Sequence, residues 1–377
     1  MAVNMLPWLL FALPAGVLAD RVAKRRLVIA SNLLRAVALL CVIAANSGSR
    51  SLAVLYLLAF LLGIAETLFD TAAPAMLPGL VDSHDLARAN GRLFAVQTIF
   101  NEMLGPPLAG VLIGVAAGLA LSGSGAFYLA GAVCMLAATR RFTEGADSPP
   151  RENRAESMWR GMADGIRFVA SHATLRVTTL AGALYGLVYS AAFSMLVLLS
   201  RQTLRMSPIG YGLLTTAGAV GALAGSMLAA RLAERVPALR HARWSLVASG
   251  AAYIMLGLSR NGVQAGIAIF LNGIFMMGWN VPVVTLRQRL TPAQFQGRVM
   301  SVARLCTWGT MPLGALAGGL LARATSVPEA FIVCGTVLIT GSAVLFSLRQ
   351  QDPSSEPPPI GGAAARGTTG QPETRTL

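Results

Sequence analysis

The chain has 377 residues, 55% of them hydrophobic and 12% charged, with a net charge of +14 and a mean hydropathy of +0.62. A soluble domain carries roughly 25% charged residues, so a water-soluble globular protein is excluded. The positive charge does not mark a nucleic-acid surface either, because the bases sit in short segments between apolar runs and not on one face.

Those runs reach the roughly 20 residues that cross a bilayer core. They are continuous rather than alternating, which fits helices and not barrel strands. Eleven spans are predicted in chain order: 2–18, 27–45, 52–76, 93–113, 119–139, 174–199, 212–232, 244–258, 262–286, 299–321 and 327–348. The first five form an N-terminal helical bundle over 1–141. Residues 142–173 read as a linker, polar at first and then amphipathic in "MWRGMADGIRFVA". The other six spans form a second bundle over 174–349, and the Pro/Gly/Thr-rich tail 350–377 has nothing with which to bury a core.

Bases divide unevenly between alternate loops. One set, with the linker and tail, holds 23 and the other holds 5, while Arg35 and Arg304 lie within spans. The positive-inside rule places the richer set, and with it the C-terminus, in the cytoplasm of a multi-pass cell-membrane protein. Cys41, Cys134, Cys306 and Cys334 all fall inside apolar spans without metal-binding spacing, so no metal or cofactor is expected.

The two halves repeat. Gly91, Arg92, Val96 and Pro106 match Gly297, Arg298, Val302 and Pro312 at one offset, and "VLADRVA" from Val17 matches "MLAARLA" from Met227. Such duplication is common in transporters. The second half has one helix more than the first, so the repeat predicts a further helix before residue 1, through a late-assigned start or a truncated gene.

"GVLADRVAKRR", with Gly16, Asp20, Arg21, Lys24, Arg25 and Arg26, resembles the signature loop of the major facilitator superfamily. "GPPLAG", with Gly105, Pro106 and Gly110, is similar to a motif of its drug:proton antiporters, although Asn101 and Ala109 stand where glycines are usual. "LLGIAETLFDTA", "DLARANGRL" and "VTLRQRLTP" resemble the enterobactin-exporter-like efflux branch. The resemblance implies an all-α integral membrane fold of two six-helix bundles, one helix of the usual twelve lacking here. It implies proton-driven export by alternating access of an amphiphilic small molecule, siderophore-like or drug-like. The alternative is a truncated chain that does not transport. Expected partners are the substrate, protons and lipid, with the protein monomeric and no nucleic acid. The resemblance gives Asp20 the role of locking the cytoplasmic ends of the bundles in one state; an ordinary solvated loop acid is the plainer reading.

Glu66, Asp70, Glu102, Arg35 and Arg304 lie within spans, where charge is costly and needs partners. Each acid reads equally as a proton site or as part of a structural ion pair, with Arg35 pairing Glu66 or Glu102. Glu102 is the expected carrier, because GPPLAG follows on its helix, and Asp70 is expected to be structural. Arg304, lacking an acid in its own half, is expected to meet a carbonyl or an anionic substrate group. Met276, Trp279 and Asn280 are candidates for an apolar cavity wall. Gly110–Gly114–Gly118, Gly221–Gly225 and Gly314–Gly318 are small-residue patterns that let helices approach, and family order places them at the seam between bundles. Neither a hydrolase nor a zinc-protease motif occurs in the spans, and no phosphate-binding loop is present, so an enzyme is not expected.

Overall fold

The computed structural model describes residues 2–46, 52–104, 117–138, 158–233 and 235–350. Among them every regular element is helical. The first half holds α1 (Ala2–Arg21), α2 (Lys24–Asn46), α3 (Leu52–Met76), α4 (Leu86–Thr98) and α5 (Ala117–Ala138). The amphipathic segment is α6 (Met158–Ser171), joining the halves. The second half holds α7 (Ala173–Leu198), α8 (Pro208–Leu232), α9 (Ala238–Gly257), α10 (Gly262–Leu290), α11 (Gln296–Gly309), α12 (Met311–Ala324) and α13 (Val327–Gln350). Six described stretches are long and apolar enough to cross a membrane, 293–324 among them, which joins α11 to α12.

Local chemistry sets the ends. Ser207 accepts from the Gly210 amide at 3.2 Å ahead of Pro208, and Asn261 accepts from the Gln264 amide at 3.0 Å. Both occupy otherwise unmet first-turn donors. Pro312, which has no N–H, stands where α12 separates from α11.

The second bundle packs around Val177, Ala181, Tyr185 and Val188 of α7, with Met195, Leu199, Leu246, Phe331 and Leu338 fully enclosed. Its glycines set the spacing. Gly225 lies so close to α10 that a Cβ would stand 2.5 Å from the Ile274 carbonyl, and Gly318 so close to α7 that one would stand 2.7 Å from that of Ala191. Gly221 and Gly314 meet Phe270 and Leu187 in the same way. These patterns therefore join helices within the second bundle, not across the seam as family order suggests. Lipid offers no hydrophobic drive between helices, so close packing has to hold them. Gly110–Gly114 lie outside the described residues. Leu33, Val37, Val133, Leu316 and Val344 stay exposed on the outside, as side chains facing acyl chains do.

Among the boundaries that differ from the sequence reading, two bear on the site. α4 starts at Leu86, not Leu93, because Leu86, Ala87, Asn90 and Gly91 are buried. α1 runs to Arg21 and α2 resumes at Lys24, so the charged knot is a tight corner and not a loop.

Candidate functional site

The bundles meet at the end that carries Arg21, Lys24, Arg25 and Arg26, here called the basic end. Asp20 sits in the last turn of α1, where its own helix dipole disfavours an acid. It is 6% exposed. Its Oδ1 accepts from the Gly297 amide at 2.6 Å, its Oδ2 accepts from the Arg298 amide at 2.9 Å, and Arg298 Nε stands 3.6 Å from Oδ2. Asp20 thus caps the N-terminus of α11 in the opposite bundle, where two first-turn amides lack intrahelical acceptors. Beyond the apolar stretch 2–18, burial pushes its carboxyl up to about 6, against the pull of those amides, Lys24 and Arg298.

Gly16 makes the contact possible. A Cβ there would collide with Ser301 Oγ and stand 2.7 Å from the Gly297 carbonyl, while one at Gly297 would stand 2.8 Å from Asp20 Oδ1. α6 lies across the junction. Gly165 rests on Arg298, Gly161 rests on Val17 with Arg21 Nη2 3.7 Å away, and Phe168 stacks on Phe295 at 4.9 Å. Of the other bases of the knot, Arg26 is exposed, and Lys24 and Arg25 are half-buried.

Further polar contacts cross the same end. Asn90 Nδ2 donates to Gln288 Oε1 at 2.6 Å and to Thr285 Oγ1 at 3.0 Å. Gln288 Nε2 donates to the Pro74 carbonyl at 2.9 Å, and Arg289 donates from Nε to the Ser83 carbonyl at 3.0 Å. Sequence reading missed this group. Polar residues at a span's end look like ordinary loop residues until the fold brings α3, α4 and α10 together.

Deeper in the seam, Arg304 of α11 meets Asp70 of α3. Its Nη2 is 2.9 Å from Asp70 Oδ2, and its Nη1 donates to the Asp70 backbone carbonyl. The acid that the second half lacks comes from the first, so Arg304 is paired and not an open anion site. Glu66 lies one turn away on the same face of α3 and is exposed, with no hydrogen bond or ion pair among the described residues. Arg35, 9% exposed, is stacked on the rings of Phe69 at 4.9 Å and Tyr128 at 5.2 Å instead of being paired to Glu66. The backbone of Glu102 lies in a π-helical turn, Ile99–Leu104, that widens α4; its side chain, like Gly105, Pro106 and Gly110, lies outside the described residues.

Trp279 is 3% exposed inside the second bundle's core, so it is no cavity wall. Met276 packs against that core, and Asn280 Nδ2 donates to the Met276 carbonyl at 3.1 Å. Among the described residues no cluster of His, Cys, Asp or Glu could hold a metal.

Two repeated helical bundles, closed against each other at one end by charge and hydrogen bonds, define the class of a multi-pass membrane transporter. The family described as transmembrane secretion effector matches residues 1–357, and the chain belongs to it, within the major facilitator superfamily. The chain is 28% identical over 381 residues to the multidrug efflux pump Tap of Mycolicibacterium fortuitum, covering 93% of this chain and 87% of that protein. It is 25% identical over 349 residues to macrolide efflux protein A of Streptococcus pyogenes, covering 89% and 83%. Its fold is similar to that of a bacterial ferroportin homologue solved in an outward-facing state, with a TM-score of 0.74 and 20% identity, over 93% of this chain and 89% of that one.

Proposed function

We propose that this chain exports an amphiphilic, drug-like or siderophore-like small molecule across the cell membrane in exchange for protons, by alternating access, with the basic end in the cytoplasm. The observation that carries this reading is the Asp20 cap on α11. A carboxylate on one bundle holding helix amides of the other forms a contact that parting the bundles must break, and one such contact biases a two-state equilibrium. The relatives named for multidrug and macrolide efflux support the direction and the substrate class. The surplus of bases at the closed end supports its cytoplasmic placement.

The proton site is Glu66. Asp70 is occupied by Arg304, whereas Glu66 stands exposed beside that pair, free to gain and lose a proton as its surroundings change. Arginine cannot carry the proton, since its pKa lies above about 12. Glu102 takes second place. The test uses the full chain in proteoliposomes with an acidic interior, following a labelled macrolide and a lipophilic dye. Accumulation that a protonophore abolishes is expected. Glu66→Gln should bind the probe and lose accumulation. Normal pumping by Glu66→Gln with loss in Glu102→Gln would move the site to Glu102. Accumulation indifferent to the proton gradient would refute the coupling.

A further inference from the structure

Two prolines stand four residues apart where α3 ends, Pro74 in its last turn and Pro78 in the 3-10 turn Leu77–Gly79 that follows it. Proline has no N–H, and in a helix the amide at i+4 is the partner of the carbonyl at i. Pro74 therefore leaves the Asp70 carbonyl without its usual donor, while the Pro74 carbonyl lies in the last turn of α3 and Pro78 denies it the amide that a longer helix would supply. These are two of the carbonyls that the second bundle grasps. Arg304 Nη1 donates to the Asp70 carbonyl, and Gln288 Nε2 donates to the Pro74 carbonyl at 2.9 Å.

We propose that this proline pair is a hydrogen-bond socket: it frees two carbonyls of α3 so that Arg304 and Gln288 close the basic end as a second gate behind Asp20. The gate has depth, because the Asp70 carbonyl lies about 6 Å further along α3 than that of Pro74, at 1.5 Å per residue. Asn90 orients it. Its Nδ2 donates to Gln288 Oε1 at 2.6 Å, which turns the Gln288 amide nitrogen toward α3. Gln288 thereby ties α10 to both α3 and α4.

The chemistry explains why carbonyls serve here. A carbonyl of an intact helix already accepts one amide and would be shared with a donor from the other bundle, whereas a carbonyl freed by proline is open to that donor alone. A carbonyl freed by proline has a partner in either state: the other bundle's side chain when the end is closed, and water when it opens. Buried polar groups are costly only when unmet. The gate therefore opens without tearing a helix, as reversible alternation requires. This inference rests on the alternating-access reading of the function.

The test places spin labels at His84→Cys and Arg240→Cys, exposed positions on the two bundles at the basic end, after replacing the native cysteines, and measures the distance between them in lipid nanodiscs. Two populations are expected in the full-length protein. Gln288→Leu should raise the ratio of open to closed about tenfold, the worth of one or two hydrogen bonds. Gln288→Glu, which keeps the acceptor for Asn90 and loses the donor to Pro74, should move the ratio the same way and guards against a Leu variant that fails to fold. Pro78→Ala restores the amide that competes for the Pro74 carbonyl, so it too should favour the open state. In Gln288→Leu, Pro78→Ala should add nothing, because both changes remove the same bond. Additive effects, or two populations whose ratio ignores these variants, overturn the gate alone. One distance in every variant overturns alternation and the gate with it.

Discussion

Acid at the basic end should favour the closed state rather than release it. Asp20 is buried there, and its carboxyl is pushed up to about 6 from its ordinary 3.8, with burial outweighing the amides of Gly297 and Arg298 and the charges of Lys24 and Arg298. When the bundles part, the carboxyl returns to water and to its ordinary range. The closed state thus binds the proton more tightly, and proton uptake stabilises whichever state binds it better. Above about pH 7 the group is ionised in both states and adds no pH dependence; below about pH 3 it is protonated in both and the gain, roughly 3 kcal/mol, is complete. Between about pH 7.5 and about pH 5 the ratio of closed to open should rise about tenfold. The label pair at positions 84 and 240 reads that ratio directly. Asp20→Asn removes the titrating group, so the difference between wild type and Asp20→Asn isolates its share from that of histidines. A ratio that falls with acid, or an equal response in Asp20→Asn, would refute the reasoning.

Gly16→Leu places a side chain where even a Cβ would stand 2.7 Å from the Gly297 carbonyl, so it should hold the basic end open and abolish export at normal membrane abundance, checked by the label distance and by probe accumulation. Asp70→Asn leaves Arg304 a backbone carbonyl and a neutral amide in place of its counter-charge; the open state should gain by about tenfold, since removing one partner of a half-buried pair costs more than a surface pair is worth. Ala230→Asp puts an acid at the position that matches Asp20 in the repeat, and it should weaken closure instead of reinforcing it, seen as a rise in the open population.

Most of the helices were legible because lipid demands long apolar runs, and the period of the repeat was legible in Gly91/Gly297 and Pro106/Pro312. Asp20 could be singled out, since one acid among bases is anomalous. Its partner could not: the amides of Gly297 and Arg298 are backbone groups and leave no residue-type signal. Arg304 was legible in part: the carbonyl it was expected to meet is that of Asp70, but the carboxylate beside it was hidden for a related reason. Its acid lies more than two hundred residues away on the other bundle, and only the packing of α3 against α11 brings Asp70 to it. Trp279 was misjudged because apolar lining and apolar core have the same composition, and only depth separates them.

The repeat also explains why one half carries an acid and the other an alanine. Each half presents a glycine at the head of a helix to the matching helix of the opposite bundle. Gly297 faces Gly16 and Asp20, and Gly91 faces Ser226 and Ala230, with a Cβ at Gly91 only 2.8 Å from the Ala230 Cβ and the Ser226 carbonyl. The two helices do not start at matching places. α11 starts at Gln296, so Gly297 and Arg298 lie in its first turn with their amides free. α4 starts at Leu86, so Gly91 and Arg92 lie in its second turn and their amides are spent on carbonyls four residues back. A carboxylate opposite Gly297 finds two donors, whereas a carboxylate opposite Gly91 would be buried against none. The small contact survives on both sides because both crossings need close approach, and the charge survives only where a helix end can answer it. The resulting asymmetry places the acid on the Asp20 side alone, and on the other side closure falls to contacts that use no acid, those of Asn90 with Thr285 and Gln288 and of Arg289 with the Ser83 carbonyl.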